Sequence, residues 1–459
     1  MPTNILNLTD YKIARVEEDD HDYHITAEIS NAPTVCMACG SERLIGHGRN
    51  EQVIRDIPTH GKRVAIYVDT RRWRCQDCGK TVMESLPAVN ARRVMTERLC
   101  KWIGQQSMKR TFASVAEDTG LDEKTIRNIF RDYVNELEAQ FRFETPQWMG
   151  IDEIYLIKPR CVIANIQNNT VVDMLANRNK DTVVKYLFQM KHRDKVQFVA
   201  MDMWAPYRDA VTAVMPQAKI VIDKFHVIKM ANEAMEKARK GIRADLDLKQ
   251  RRGLMHDRFV LLKRQRDLTD KEAFNLDGWT KNYPVLGEAY RLKESFYSVY
   301  EASSKEDALA RYEAWSKSVP PEIRPHFSDL IRAFSNWQPW ILNYFDHKVT
   351  NAYTESLNSL IRVMDRMGRG YSFEALRAKI LFTEGAHKHK LSRPKFERMR
   401  DVEPDYGIPA DAMGYCAFVA EPVMARPRKV AKPHELYEPP KNYGADINTL
   451  IELLEAGKL

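Results

Sequence analysis

The chain contains no run of about eighteen apolar residues, so no membrane-spanning helix is expected. Its first ten residues, MPTNILNLTD, lack a basic n-region and a long apolar h-region. A secretory leader is therefore not expected, and a cytoplasmic location is. Neither sign of charge dominates: 71 Lys plus Arg stand against 63 Asp plus Glu, a net +8 over 459 residues. That excess is compatible with a nucleic-acid partner without requiring one. Cysteine is scarce, at seven residues. Four of the seven sit in two C-x-x-C pairs, which favours a metal over disulfides in a chain without a leader. The apolar and charged fractions, 44% and 29%, are those of an ordinary globular protein. The length suits roughly two to four domains.

Cys36 and Cys39 lie in VCMACG, and Cys75 and Cys78 in RCQDCGK. In each pair the second cysteine is followed by glycine, Gly40 or Gly79, which permits the tight turn that brings two thiolates to one ion. Four thiolates make a closed tetrahedral zinc site, structural because no ligand position stays open. Between the knuckles Val64, Ile66 and Val68 alternate as in a strand, so residues 1–90 read as a zinc ribbon with β-strands. Buried structural thiols or a redox pair are the competing readings. Cys100, Cys161 and Cys416 are isolated and read as core residues. Arg55, Lys62, Arg63, Arg71, Arg72 and Arg74 crowd the ribbon around Trp73, and Arg72 and Arg74 are candidates for DNA phosphate contacts. A solvated strand face explains them equally well.

Residues 91–142 fit a helix-turn-helix. Val115, Leu121, Ile126 and Ile129 supply apolar positions, Ala116 a small crossing residue, Gly120 the turn and Asp122 an N-cap. The second helix would present Lys124, Thr125, Arg127, Asn128 and Arg131 to phosphates and base edges. A plain core hairpin is the alternative.

Around Asp152 the sequence reads WMGIDEIYLIK, a carboxylate pair inside a strand-like apolar run. A buried carboxylate is costly unless it is paired, hydrogen-bonded or metal-bound. RCVIANIQ and TVVDMLANR follow as strands joined at Asn168 and Asn169. A helix is expected over 180–191, then a strand ending in Asp202, then a helix opening at Pro206 and closing before Pro216. AKIVIDKFHV is expected as a fifth strand ending in Asp223 and His226. The order β-β-β-α-β-α-β is that of the ribonuclease H-like fold, in which the first and fourth strands are neighbours. Asp152 and Asp202 would then face one cleft and repel unless a divalent cation lay between them. Solvated strand-end aspartates are the bland alternative.

Residues 236–345 read as an all-helical insertion, basic and aromatic, that interrupts this catalytic domain (145–235 and 346–400). VTNAYTESLNSLIRVMDRMGRGY then marks a helix with Glu355 in its first turn and Asn358 and Arg362 at helical spacings from it. Residues 401–459 read as a Pro-rich basic linker and a short amphipathic C-terminal helix.

The blocks GIDE (150–153), AMDMW (200–204), DKFHV (223–227) and NAYTESLNSLIR (351–362) resemble those of bacterial ISL3-family insertion-sequence transposases, which are DDE transposases. The resemblance extends over nearly the whole chain, ribbon and helix-turn-helix included. It implies that Asp152, Asp202 and Glu355 are the catalytic triad; Asp223 and His226 are candidates for a supporting role at the cleft. Three carboxylates holding two Mg²⁺ or Mn²⁺ ions suit in-line displacement at phosphorus. The expected partners are double-stranded DNA (the element's terminal inverted repeats and a target) and, since two ends must meet, a second copy of the chain. A catalytically inactive DNA-binding regulator, a nuclease without strand transfer and a zinc-stapled scaffold are the alternatives.

Overall fold

The computed structural model describes residues 7–29, 33–90, 92–141 and 145–385. The expected linker and C-terminal helix at 401–459, residues 386–400 and Cys416 lie outside the described residues.

The N-terminal sheet is built from β1 (Tyr11–Glu18), β2 (Asp22–Ile29), β3 (Leu44–Thr59), β4 (Lys62–Cys75) and β5 (Thr81–Met83). Its order is β1-β2-β4-β3, with β5 on the end of β4. β3 and β4 form one long antiparallel hairpin whose turn residues, His60 and Gly61, both have positive φ. Two such residues match the right-handed twist of the strands they join. Alternate side chains of the hairpin, Ile54, Val64, Ile66 and Val68, fill a small core with Ile25 from β2.

Three helices follow: α1 (Glu97–Lys109), α2 (Phe112–Thr119) and α3 (Glu123–Gln140). Each opens on a side-chain cap, from Thr96, Thr111 and Asp122. Gly120 closes α2 in the left-handed conformation, φ 66°, that favours glycine. The pair α2–α3 thus has the cap and turn read from the sequence; α1 was not anticipated. Its Leu99 and Ile103 are wholly buried. At its start the Thr96 hydroxyl (2.7 Å) and the Arg98 Nε (2.8 Å) donate to the buried Asp56 of β3 and fasten the hairpin near its turn.

The central sheet comprises β6 (Trp148–Tyr155), β7 (Pro159–Asn165), β8 (Thr170–Leu175), β9 (Phe198–Met201) and β10 (Lys219–Ile222). Helices α4 (Lys180–Gln189) and α5 (Ala205–Val214) lie between its later strands in the chain. The order is β10-β9-β6-β7-β8: three antiparallel strands, then two parallel ones reached through helices. One expectation is corrected. The fifth strand stops at Ile222, because Asp223 caps the N-terminus of α6 (Lys224–Gly241), accepting from the Phe225 amide at 3.3 Å. His226 therefore stands in the first turn of a helix.

From α6 onward the chain is helical: α7 (Leu248–His256), α8 (Arg258–Leu262), α9 (Asp270–Asn282), α10 (Pro284–Tyr297), α11 (Lys305–Lys317) and α12 (Arg324–Asp346). α6 runs unbroken through residues 235 and 236. Phe296, Trp315, Phe327 and Phe334 are buried between these helices. α12 returns to the sheet edge, where the Asn343 amide donates to the Ile220 carbonyl of β10 at 2.8 Å. α13 (Ala352–Gly368) and α14 (Phe373–Glu384) then cover the other face. That face shares one core with α1–α3: Ile126, Ile129, Ile154, Val162, Ile361 and Leu381 belong to the same cluster. Lys379 of α14 is buried there. Its ammonium donates to the Ser107 and Arg110 carbonyls at the end of α1 and lies over the rings of Phe112, Phe130 and Tyr371.

Candidate active site

The zinc knuckles come together at the end of the long hairpin. The two Sγ–Sγ contacts, Cys36 to Cys78 and Cys39 to Cys75, are 3.7 and 3.6 Å, and all four sulfurs lie within 4.8 Å of one another. A regular tetrahedron with metal–sulfur distances of about 2.3 Å sets its sulfurs about 3.8 Å apart. The four side chains therefore fit a structural zinc ion. Gly40 and Gly79 both take positive φ, 77° and 69°, in the turns behind them.

The carboxylate cleft is assembled from four elements. Parallel pairing sets Ile151 of β6 opposite Met201 of β9, so Asp152, within β6, lies beside Asp202, the residue that follows the end of β9. Asp152 is only 5% exposed. One oxygen accepts from the Glu153 amide at 2.7 Å, the other from the Asn358 side-chain amide at 2.8 Å. Burial first, then the neighbouring Asp202 charge, pushes the Asp152 carboxyl up to about 8. Glu355 arrives from the first turn of α13. The seat of that helix is Gly150: a Cβ there would stand 2.4 Å from the Thr354 hydroxyl and 2.5 Å from the Asn351 side-chain oxygen. Glycine is thus required for close approach, and that approach carries Asn358 to Asp152 and Glu355 to the same cleft.

His226 stands at the centre. Its Nδ1 is 2.9 Å from Asp202, 3.9 Å from Asp223 and 3.9 Å from Glu355. Partial burial would lower its pKa, but the contact with Asp202 and the surrounding carboxylates outweigh that and raise it to about 9. Asp223 is fully buried, and burial together with nearby Glu355 raises it to about 6. Asp202 Oδ1, Asp223 Oδ2 and His226 Nδ1 are buried with no aligned hydrogen-bond partner. Carboxylate oxygens gathered around His226 are donors that a divalent cation would engage in its place, and oxygen donors suit Mg²⁺ or Mn²⁺.

The structure thus gathers Asp152, Asp202, Asp223, His226 and Glu355 in one cleft. The donor trio that lies mutually within 4.8 Å is Asp223, His226 and Glu355, not the expected Asp152, Asp202 and Glu355. Sequence reading missed Gly150 and the hydrogen bond of Asn358. Their signal was a set of polar residues, Asn351, Thr354 and Asn358, at helical spacing on a face that the helix buries.

The candidate DNA contacts divide. Lys124, Arg127 and Arg131 of α3 are exposed, as are Arg72 and Arg74 of β4. Thr125 is turned back to its cap, donating to Asp122 at 2.6 Å, and Arg127 pairs with Glu123. Arg127, Asn128 and Arg131 line a cavity of about 1210 Å³ whose far wall is the turn between α13 and α14. In the ribbon, Arg63 and Arg71 are engaged with Asp22 and Glu84.

Comparison with known proteins agrees with this order of parts. A family model described as a transposase of the ISL3 type matches residues 149–380, half of the chain. The helix-turn-helix domain of transposase family ISL3 matches 84–134, and the zinc finger of transposases IS204/IS1001/IS1096/IS1165 matches 32–78. The chain belongs to the ISL3 family of transposases. It is 24% identical over 374 residues to the transposase for insertion sequence element IS1001 of Bordetella parapertussis, covering 79% of this chain and 92% of that protein. It is 26% identical over 281 residues to the transposase for IS1557 of Mycobacterium tuberculosis, covering 54% and 63%. Among the described residues no helix is long and apolar enough to cross a membrane.

Proposed function

We propose that this transposase works as a DDE enzyme: it binds the terminal inverted repeats of its element, cuts the DNA at the ends and joins them to a target. The observation that carries the reading is the convergence of Asp202, Glu355 and Asp223 on His226, with Asp152 beside Asp202. We read the central sheet, ordered 3-2-1-4-5 in chain terms, as ribonuclease H-like, and residues 236–345 as a helical insertion between its two parts. Asp152, Asp202 and Glu355 would hold the divalent ions, which supply Lewis-acid activation of the attacking hydroxyl and stabilisation of the leaving oxygen. The protein's own part is placement. Asn358 fixes the orientation of Asp152, Gly150 admits the helix that delivers Glu355, and His226 offers three carboxylates a positive charge of the kind that bound cations would supply. Exposed Lys124, Arg72 and Arg74 contact the DNA backbone, and two copies of the chain hold two ends.

The test is incubation of the zinc-loaded protein with end-bearing DNA and Mg²⁺, read on a gel for nicked and joined products. Asp152→Asn removes cleavage by at least about a thousand-fold, while end binding stays within about two-fold. Metal-dependent cleavage that survives in this variant rejects the assignment.

A further inference from the structure

The cavity between α3 and the turn that joins α13 to α14 is built by two parts of the chain far apart in sequence. One wall is a face of α3, where Arg127, Asn128, Arg131 and Asn135 recur at helical spacing. The other is the turn itself, with Gly368, Arg369, Gly370 and Tyr371. A shared core joins the walls. The Tyr371 ring packs edge-on against Phe112 of α2, 5.3 Å between centres, and the buried Lys379 ammonium lies over both rings.

Arg369 has an unusual backbone. It caps α13 in the left-handed conformation, φ 50° and ψ 39°, a place that favours glycine. Gly368, one residue earlier, would suit that place better. It occupies instead the last helical position, where an added Cβ would stand 2.1 Å from the Tyr371 ring. Gly370 follows with φ 108°. Left-handed residues other than glycine carry strain, and they concentrate at ligand clamps. Arg369 is exposed, and among the described residues no ion pair or hydrogen bond engages its guanidinium. With glycine on both sides it is a single long side chain on a narrow backbone.

Width selects the surface it meets. The cavity holds about 1210 Å³, and a turn of duplex, about 34–36 Å long, does not enter it. Glu117 and Glu374 also line it, so a phosphate backbone is not drawn inside. A duplex meets the rims instead, α3 on one side and Arg369 on the other. A major groove about 12 Å wide admits a helix; a minor groove about 6 Å wide excludes a helix and admits a finger one residue wide. We propose that Arg369 is a minor-groove finger, entering the element's end DNA beside the major groove taken by α3. The proposal rests on the reading of α2–α3 as the end-binding pair and of the carboxylate cleft as the cutting centre. Arginine in this position favours a narrow groove without the guanine amino group. The helix α13 also sets the finger's place. Fourteen positions separate Glu355 from Arg369, about 21 Å at 1.5 Å per helical residue. At about 3.4 Å per base pair, the finger lies about six base pairs from the cut phosphate.

The test uses the full-length, zinc-loaded protein with Ca²⁺ in place of Mg²⁺, so that end DNA is bound and not cut. Each base pair in the last two turns of an end-bearing duplex is replaced in turn by G·C and by inosine·C. The two replacements present the same major-groove edge and differ by the guanine amino group in the minor groove. Wild type binds the inosine duplex at least about five-fold more tightly than the G·C duplex at one or two adjacent positions, about six base pairs from the cut. Arg369→Gly removes that difference and weakens binding to the unmodified end about ten-fold. Its melting temperature equals or exceeds that of wild type, because glycine relieves the left-handed strain. Equal binding of the two replacements at every position overturns the finger. So does a difference that survives in Arg369→Gly or lies more than a full turn from the cut. Failure to bind the end at all overturns the helix-pair reading and the finger with it. Failure to cut any end in Mg²⁺ counts against the nuclease reading alone, since binding still decides the finger.

Discussion

The zinc knuckle and the carboxylate cleft are both clusters of metal-ligating side chains, and they are built in opposite ways. The zinc knuckle takes four soft ligands from two short turns at the open end of one hairpin, the two cysteines of each turn three positions apart. The carboxylate cleft takes its acidic groups from the middle of one strand, the end of another and two helices, with Asp152 and Asn358 206 positions apart. In the first, the sulfurs already stand at the spacing of a filled tetrahedron. In the second, acidic groups crowd together with buried atoms lacking aligned hydrogen bonds, and His226 offsets their charge. A structural metal site is closed and local. A site meant for exchangeable ions and substrate is open, and the whole fold has to hold it against its own repulsion.

The largest expected effect falls on the closed site. Structural zinc contributes on the order of 10–16 kcal/mol in small domains, so Cys75→Ser should lose the ion and unfold the ribbon. Zinc stoichiometry and the amide spectrum of the β3–β4 hairpin check this; a hairpin that stays ordered without zinc would break the contrast. Next comes the open site's seat. Gly150→Ala should cost roughly 1–3 kcal/mol of packing and displace Glu355, lowering cleavage more than ten-fold with zinc content unchanged. Cleavage equal to wild type would show that α13 does not depend on that close approach.

The pH response is smaller and has a definite sign. Asp152 binds its proton more tightly when folded, about 8 against 3.8, so ionising it lowers stability as pH rises through that window. Asp223, about 6 against 3.8, acts in the same direction. His226, about 9 against 6.5, contributes stability that is complete below 6.5 and lost on the way to 9. The metal-free protein should therefore melt a few degrees lower at pH 9 than at pH 6, and Mn²⁺ should restore more at the higher pH. A melting temperature that climbs with pH would reject this picture of the cleft. The smallest effect belongs to the ribbon surface: Arg72→Ala and Arg74→Ala should each lower the salt slope of DNA binding by about one, with little change in sequence preference.

How much could be read from the sequence follows the same division. The knuckles, the cap Asp122 and the turn Gly120 were legible because each is fixed by a few neighbouring residues. Asp152 stood out because a carboxylate in an apolar strand needs a partner, and the order of strands and helices placed Asp202 beside it. The seat at Gly150 and the Asn358 hydrogen bond were not legible, since both depend on a helix that returns after more than a hundred intervening residues. The stretch DKFH read as strand because its apolar neighbours outweighed the capping tendency of Asp223. α1 was overlooked because its buried residues face a core shared with α3 and α14, elements distant in sequence.

The β3–β4 hairpin has a consequence of length. Twelve residues separate Leu44, paired with Cys75 beside the knuckle, from Asp56 at the α1 anchor. At about 3.3 Å per residue that is a strut of about 40 Å. One turn of B-form duplex rises about 34–36 Å. A DNA lying along the strut would be gripped by the helix pair in one turn and touched by the metal-tipped end in the next, so protection should extend past what α3 alone can cover.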